Sequence, residues 1–361
     1  MSDAFVRKIF SKYYQQAQFD IRGLEQREFG IGNSKKIDAR HLSFATTDEF
    51  RNFLVTNTPL FVSHSASYYR YPAATPIEKK TRIGADIIFD LDLHSTGKYG
   101  VYSKLDEVKQ DVTRLVEDFL YTDFGLKRDD ILIAFSGNRG YHVHVRNSDF
   151  AVLEADERRE IMNYIRGEGL DIRKFFSWEE IKRHKKLLGP KPDDGGYKGR
   201  VAQYMINTLK NDPSKISPRR FSNPEKRDFF ISGIEEGNWS RTTMKLDDIP
   251  KKVNEFRNEI TVRSVNADPA VTYDMSKLIR VPNSIHGDTG FVAKIVGDID
   301  GFEPLKHAVI NGPEISIRFT EKVPELELLE KTLGPFEAEQ KAELPLGAAL
   351  FFILKNSADL A

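Results

Sequence analysis

The residues best suited to chemistry lie in a short apolar segment, residues 85–93, that carries carboxylates on one face. Successive side chains of a strand alternate faces, so its odd-numbered residues form an apolar face and Asp86, Asp90 and Asp92 share the other. Two carboxylates at i and i+2 on a half-buried strand repel each other and stay ionised only beside a cation or basic partner. Asp90 and Asp92 therefore suggest a divalent-metal site. Taken alone, the pair also fits a solvated strand end that caps a turn.

A second stretch, residues 131–145, reads as two β runs around a Ser-Gly-Asn-Arg-Gly turn. Glycines in such a turn let backbone amides approach an anion closely, and Arg139 lies inside the turn with Ser136 before it and His142 just after it. This arrangement predicts a site for an oxyanion group such as phosphate. A tight hairpin with an exposed arginine is the alternative, and His144 is expected to share the face of His142 without a role of its own.

A third stretch runs from Asp268 to Gly290. Its pattern predicts a strand that ends at Arg280, a turn, and then His286 before a further strand over residues 291–296. Taken alone, this segment is a hairpin with an unremarkable histidine.

The elements around these stretches set the expected fold. Helical spacing of apolar residues predicts an N-terminal helix and a helix from about residue 104, and two short strands carry Glu28 and Arg40, which fit an ordinary cross-strand ion pair. Strand 85–93 followed by a loop and a long helix forms a crossover unit, which predicts a layered α/β, or α+β, arrangement with a mixed sheet.

The middle of the chain differs in character. Residues 150–234 read as a mostly helical insertion, with helices over 154–165 and 171–188, between two parts of a core formed by residues 1–149 and 235–361. The basic run Lys182–Lys186 could touch a nucleic-acid backbone, although such runs are usually solvated helix faces. Helices are also expected over residues 246–259, from about residue 324, and over residues 346–354 as a buried terminal helix.

Composition excludes several classes of function. The 361 residues hold 54 basic and 54 acidic side chains, so no global field marks a polyanion partner. The absence of cysteine excludes disulfides, thiolate zinc sites and cysteine nucleophiles. Neither a signal-peptide pattern nor an apolar stretch long enough for a bilayer is present, so we expect an intracellular, cytoplasmic protein that does not enter membranes.

Together the three stretches resemble the small catalytic subunit of the archaeal and eukaryotic type of DNA primase. The Asp-x-Asp pair, the Ser-Gly-x-Arg-Gly-x-His run from Ser136, and the Arg-x-Pro-x-Ser-x-His-x-x-Thr-Gly run from Arg280 occur in the family's order and span nearly the whole chain. The segments at residues 27–29 and 40–44 also look like the family's N-terminal signatures. Each motif is weak by itself, whereas their conjunction is specific.

The resemblance implies roles for individual residues. The third metal-binding aspartate would be Asp268, in the family's Asp-x-x-Val-Thr context, with Asp274 as second candidate. The resemblance also implies that Glu28 and Arg40 belong to the site. The resemblance assigns the incoming triphosphate to Ser136, Arg139, His142, Arg280 and His286.

The resemblance also implies a reaction. Two Mg²⁺ or Mn²⁺ ions on Asp90, Asp92 and Asp268 would serve templated primer synthesis from nucleoside triphosphates on single-stranded DNA. The primers would be RNA and possibly DNA, made in the cytoplasm at the nucleoid during replication, with a separate large subunit as partner. Unlike many family members, this chain has no cysteine in residues 94–103, so no structural zinc is expected. Asn283 stands where a glycine is frequent.

Three other functions compete with this one. A repair-type primase-polymerase would use the same motifs on a different substrate. A catalytically inactive nucleic-acid-binding subunit would have no reason to keep clustered carboxylates opposite phosphate ligands. A metal-dependent phosphatase would explain the acids but not a triphosphate clamp drawn from two distant motifs.

Overall fold

A computed structural model describes residues 2–93, 97–181, 184–262 and 273–361. Within these ranges, no helix is both long enough and apolar enough to cross a membrane. The chain forms two compact units, the first made of Met1–Thr113, Leu126–Met162 and Ser264–Ala361, and the second of Arg114–Gly125 and Asn163–Arg263. The predicted borders at residues 149/150 and 234/235 stay a prediction.

The described helices follow the apolar periodicity of the chain. They are α1 Ser2–Gln16, α2 Thr47–Asn57, α3 Leu105–Arg114, α4 Ser148–Ala151, α5 Ala155–Ile165, α6 Gly196–Asn211, α7 Pro224–Glu235, α8 Ile249–Glu255, α9 Pro304–His307 and α10 Leu346–Leu354.

The described strands are short. They are β1 Phe29–Gly32, β2 Ala39–Leu42, β3 Phe61–Ser65, β4 Ser67–Tyr69, β5 Arg82–Ala85, β6 Ile87–Asp92, β7 Ile131–Phe135, β8 Gly140–Val145, β9 Ser177–Ile181, β10 His184–Leu188, β11 Leu278–Arg280, β12 Ile295–Val296, β13 Glu314–Phe319, β14 Leu326–Leu328, β15 Lys331–Leu333, β16 Lys341–Pro345 and β17 Ala358–Leu360.

The first unit contains the sheet that organises the site, in the order β12-β7-β8-β6. Both β6 and β7 pair antiparallel with β8, so they run in the same direction and the helical segment that begins with α3 connects them. The predicted crossover is therefore confirmed. Apolar side chains such as Phe89, Leu91, Phe135 and Tyr141 are fully buried in this sheet.

A second sheet of the same unit has the order β11-β3-β1-β2. Strand β3 pairs with β1 on one side and with β11 on the other, which sets Arg280 opposite Ser63. The pairing of β3 with both β1 and β11 thus brings the N-terminal strands next to the third motif. The apolar helix α10 is buried, as predicted.

Two predictions of secondary structure are wrong, and the strand expected over residues 291–296 is limited to β12, Ile295–Val296. In place of the helix expected over residues 171–188, residues 172–175 form a 3₁₀ turn and β9 pairs antiparallel with β10. Lys185 lies opposite Glu180 in this register, and Lys186 lies opposite Glu179 and forms an ion pair with it, which favours the strand pairing. The helix expected from residue 324 is the hairpin β14–β15. In the basic run, residues 182 and 183 lie outside the described residues. The second unit nevertheless contains α6, α7 and α8. Its fully buried Trp239 packs its ring against those of Phe176 and of Phe230 in α7.

Candidate active site

The register of β6 with β8 positions the carboxylates. Asp90 lies opposite His142 and Asp92 opposite Gly140, with both aspartate side chains about 30% exposed. The imidazole Nε2 of His142 is 3.6 Å from Oδ1 of Asp90. Burial lowers the pKa of His142 to about 4, so this ring is neutral at physiological pH and can donate one N–H to an anion.

The side chain of Ser136 stabilises the turn that follows β7. The Ser136 hydroxyl accepts hydrogen bonds from the amides of Asn138 and Gly140, at 3.3 and 3.2 Å. Gly137 has a φ of 82°, and a Cβ there would lie 2.8 Å from Cβ of His286. The glycine is therefore needed both for the backbone conformation and for the close approach of the third motif.

Arg139 extends from this turn to the carboxylates. Its Nη2 donates to Oδ2 of Asp92 at 2.6 Å. Burial, together with the negative charge of Asp90, raises the pKa of Asp92 despite the opposing effect of Arg139. The arginine thus compensates the paired carboxylates only in part, as expected for two acids that share one strand face.

Arg280 faces the same space from β11. Its Nη1 is buried and has no hydrogen-bond partner among the described residues. The guanidinium carbon lies 5.5 Å from the centre of the Phe61 ring. Burial lowers the pKa of Arg280 to about 10, which leaves the group charged at neutral pH. A buried, charged N–H without a partner is costly in isolation and fits an anionic ligand.

His286 is tied to the second motif through its neighbours. Its Nδ1 accepts the amide of Asp288 at 3.1 Å, while the Thr289 hydroxyl donates to the carbonyl of Gly137 at 2.6 Å. Burial holds the pKa of His286 well below its ordinary value, so the ring is neutral. Because Nδ1 accepts, the ring proton is on Nε2, which is a hydrogen-bond donor.

The N-terminal signatures form an ion-pair network beside the site. Glu28 is fully buried and accepts from Nε and Nη2 of Arg40 at 2.7 and 3.3 Å and from the amide of His41 at 3.2 Å. Nζ of the buried Lys80 is 3.6 Å away. Burial would raise the pKa of Glu28, but the hydrogen bonds and charge of Arg40 outweigh it and the pKa is lowered. Arg40 also donates to the carbonyl of Ser276 at 3.3 Å.

One cavity of about 420 Å³ collects these groups. Glu28 lies behind Arg40 rather than on the cavity wall, Asp274 lines the wall, and Asp268 lies outside the described residues. Within the described parts of the chain, no three His, Cys, Asp or Glu side chains cluster closely enough to hold a metal ion. The site residues predicted from sequence that line the cavity are Arg40, Asp90, Asp92, Ser136, Arg139, His142, Arg280 and His286.

Sequence reasoning missed other residues of the cavity wall, including Lys36, Ser63 and Asn138. Lys36 belongs to the β1–β2 turn, which Asp38 fixes by accepting the amides of Asn33 and Ser34. A lysine in a polar turn ordinarily points to solvent, so no local signal distinguishes it.

His144, in contrast, lies outside the cavity. It is fully buried, and its ring stacks on that of His64 with 6.1 Å between centres. Neither of its ring nitrogens has a hydrogen-bond partner among the described residues.

Comparisons with known proteins agree on one family. The model of the DNA primase small subunit family matches residues 89–298. The DNA primase small subunit of Methanothrix thermoacetophila is 33% identical, with 99% of each chain covered. That of Methanococcoides burtonii is 30% identical over 98% of this chain and 97% of its own length, and that of Archaeoglobus fulgidus is 29% identical over 99% and 98%.

Proposed function

The chain belongs to the DNA primase small subunit family, and we propose that it is the catalytic subunit of a DNA primase that makes primers by templated nucleotidyl transfer. The observation that carries this proposal is a cavity that brings these groups together. Two carboxylates from one strand line it, and arginines and neutral histidines from two distant motifs line it as well. The carboxylates suit cations and the other groups suit phosphates, which together describe a metal–triphosphate substrate.

The donor set fits hard divalent cations. Asp90 and Asp92 offer only oxygen, and burial, together with the negative charge of Asp90, raises the pKa of Asp92 despite the nearby Arg139, so a further cation would favour its ionised form. We assign Asp90, Asp92 and Asp268 to Mg²⁺ or Mn²⁺, with Asp274 as second candidate for the third ligand. Two such ions, when bound, would acidify the primer 3′-hydroxyl and stabilise the leaving pyrophosphate.

The remaining groups bind and orient the triphosphate. Neutral His142 and His286 each supply an N–H without adding charge, whereas Arg280 supplies a positive charge that is already desolvated. Ser136 shapes the turn that presents Arg139. We propose that Arg139 exchanges its carboxylate partner for phosphate when a nucleotide enters, because cations on Asp92 and a nearby arginine would repel each other.

Glu28 acts through Arg40 in this scheme. The bidentate pair fixes the guanidinium of Arg40 on the cavity wall, where it adds to the positive field that attracts the nucleotide. No protein nucleophile is required, since positioning and electrostatics supply most of the catalysis of such transfers.

The first experiment is primer synthesis on single-stranded DNA with Mg²⁺ or Mn²⁺, by the chain alone and with the large subunit. We expect metal-dependent oligonucleotides from the wild type. Asp90→Asn and Asp92→Asn should lose activity by about three orders of magnitude or more, because each removes a metal-binding charge. Asp129→Asn, at an exposed carboxylate on the same unit, is the matched control.

Circular dichroism and thermal unfolding would establish that the variants are folded. Equal primer synthesis by wild type and both variants in the presence of the large subunit would make the carboxylates structural and favour a nucleic-acid-binding subunit.

A further inference from the structure

A second cavity, of about 600 Å³, lies on the first unit and shares no lining residue with the candidate active site. One side is the exposed part of α1, and the other is formed by residues 310–315 together with Leu346. We call this cavity the α1 groove. It is larger than the candidate active site, and the function proposed above makes no use of it.

The floor of the α1 groove is largely aliphatic. Ile9 and Ala17 contribute from α1 and the residue that follows its end, while Ile310, Ile315 and Leu346 contribute from the opposite side. A floor of this kind gains free energy from apolar side chains, at roughly 25 cal/mol per Å² of area removed from water. It offers little to a sugar-phosphate backbone.

The rim of the α1 groove carries one sign of charge. Lys8 and Lys12 lie one helical turn apart on α1, and Lys294 also lines the groove. No aspartate or glutamate lines the groove, and none of the three lysines forms an ion pair within the described part of the chain. Like charges at i and i+4 repel each other, so a carboxylate from outside would stabilise this helix face.

We propose that the α1 groove is a docking site for an acidic, aliphatic segment of a protein partner. The family is one of small subunits, so the large subunit is the occupant to which we commit. Aliphatic side chains of that segment would fill the floor, and its carboxylates would pair with Lys8, Lys12 and Lys294. This inference goes beyond the proposed activity, since docking can be measured without catalysis.

The groove also reaches the third motif. The Tyr13 hydroxyl donates to the carbonyl of Asn283 at 2.8 Å, and the side-chain Nδ2 of Asn283 donates to the carbonyl of Gln18 at 2.9 Å. Asn283 lines the groove and lies between Arg280 and His286 in sequence, with a φ of 64°. A docked segment would therefore contact residues that hold the turn between two proposed triphosphate ligands.

The test is isothermal titration calorimetry of the full-length chain with purified large subunit, carried out at two salt concentrations. The double variant Lys8→Glu/Lys12→Glu should bind at least about tenfold more weakly, and the loss should shrink at high salt because exposed charges are screened. Lys341→Glu, at an exposed lysine of β16 outside the groove, is the matched control and should bind as the wild type does.

The charges of the exposed lysines can be reversed without changing the buried core. Ile310→Ser tests the apolar floor of the groove separately, with no change of charge. Wild-type affinity in both the double variant and Ile310→Ser would overturn the proposal. A variant that binds the large subunit normally but binds single-stranded DNA more weakly would assign the groove to nucleic acid, and a change in self-association would assign it to a second copy. Primer synthesis is not part of this readout, so inactivity of the wild type would refute the proposed function and leave the docking result intact.

Discussion

Two walls of the candidate active site are built in different ways. The wall formed by β6 and β8 places Asp90, Asp92 and His142 by backbone register alone, because each side chain's direction follows from its position in the ladder. The wall formed by the β1–β2 hairpin places Arg40 by a side-chain ion pair with a buried glutamate. Ladder geometry can be read from alternation in the sequence, whereas an ion-pair network depends on tertiary neighbours such as Lys80.

The largest expected effect comes from disrupting the wall formed by β6 and β8, which we call the ladder wall. In Gly140→Ala, the new Cβ would lie 1.8 Å from the carbonyl oxygen of Leu91 and 2.8 Å from Cα of Asp92. The strands would have to separate, so we expect destabilisation of about 3 kcal/mol and loss of nearly all primer synthesis. Urea unfolding and the primer assay would measure both effects.

Gly297→Ala is the control, since a Cβ there meets nothing within 4 Å. A Gly140→Ala protein with wild-type stability and activity would show that the ladder tolerates the extra carbon and that register is not what positions the carboxylates.

Breaking the second wall should have a smaller effect. Glu28→Gln removes the charge that holds Arg40 and leaves the buried Lys80 without its counter-charge, so we expect a loss of about 1–3 kcal/mol in stability. We also expect a fall of about tenfold to a hundredfold in kcat/KM. The double variant Glu28→Gln/Arg40→Gln should lose little more activity than either single one, because the pair acts as a unit. Fully additive losses would contradict a positioning role for Glu28.

The same residue gives a pH signature. The folded-state pKa of Glu28 is lowered, so the unfolded state takes up a proton first as the pH falls. The contribution of Glu28 to stability is present above its unfolded pKa, about 4.5, and is lost as the pH falls through the lower folded value. The free energy of unfolding, measured at several pH values from 7 to 3, should therefore fall less steeply with decreasing pH for Glu28→Gln than for the wild type.

The smallest expected effect concerns the turn between β1 and β2. Lys36 lines the cavity and its neighbour Lys35 does not, although both are exposed lysines of one turn. Lys36→Ala should raise KM for the nucleotide by about threefold to tenfold with little change in kcat, whereas Lys35→Ala should leave both unchanged. Steady-state kinetics at low salt would test this difference, and equal effects of the two substitutions would show only a general loss of positive charge.

The sequence predicts the ladder wall well because its signals are local. Alternation assigns Asp90 and Asp92 to one face, and the glycines of the Ser136 turn mark a close approach that the structure places against His286. Lys36 escapes prediction because only the β1–β2 pairing and the Asp38 hydrogen bonds bring it to the cavity. The helix expected over residues 171–188 is wrong because acidic and basic side chains that can pair along a helix can also pair across two strands, as Lys186 does with Glu179.

The pairing of Asp90 with His142 constrains how this protein can evolve. A single-residue insertion or deletion within β6 or β8 would turn every following side chain to the opposite side of the sheet and send carboxylates into the hydrophobic interior. Length variation among descendants should therefore accumulate in connecting loops and avoid these two strands. An engineer who wishes to graft this chemistry onto another scaffold would have to transplant both strands as one indivisible unit.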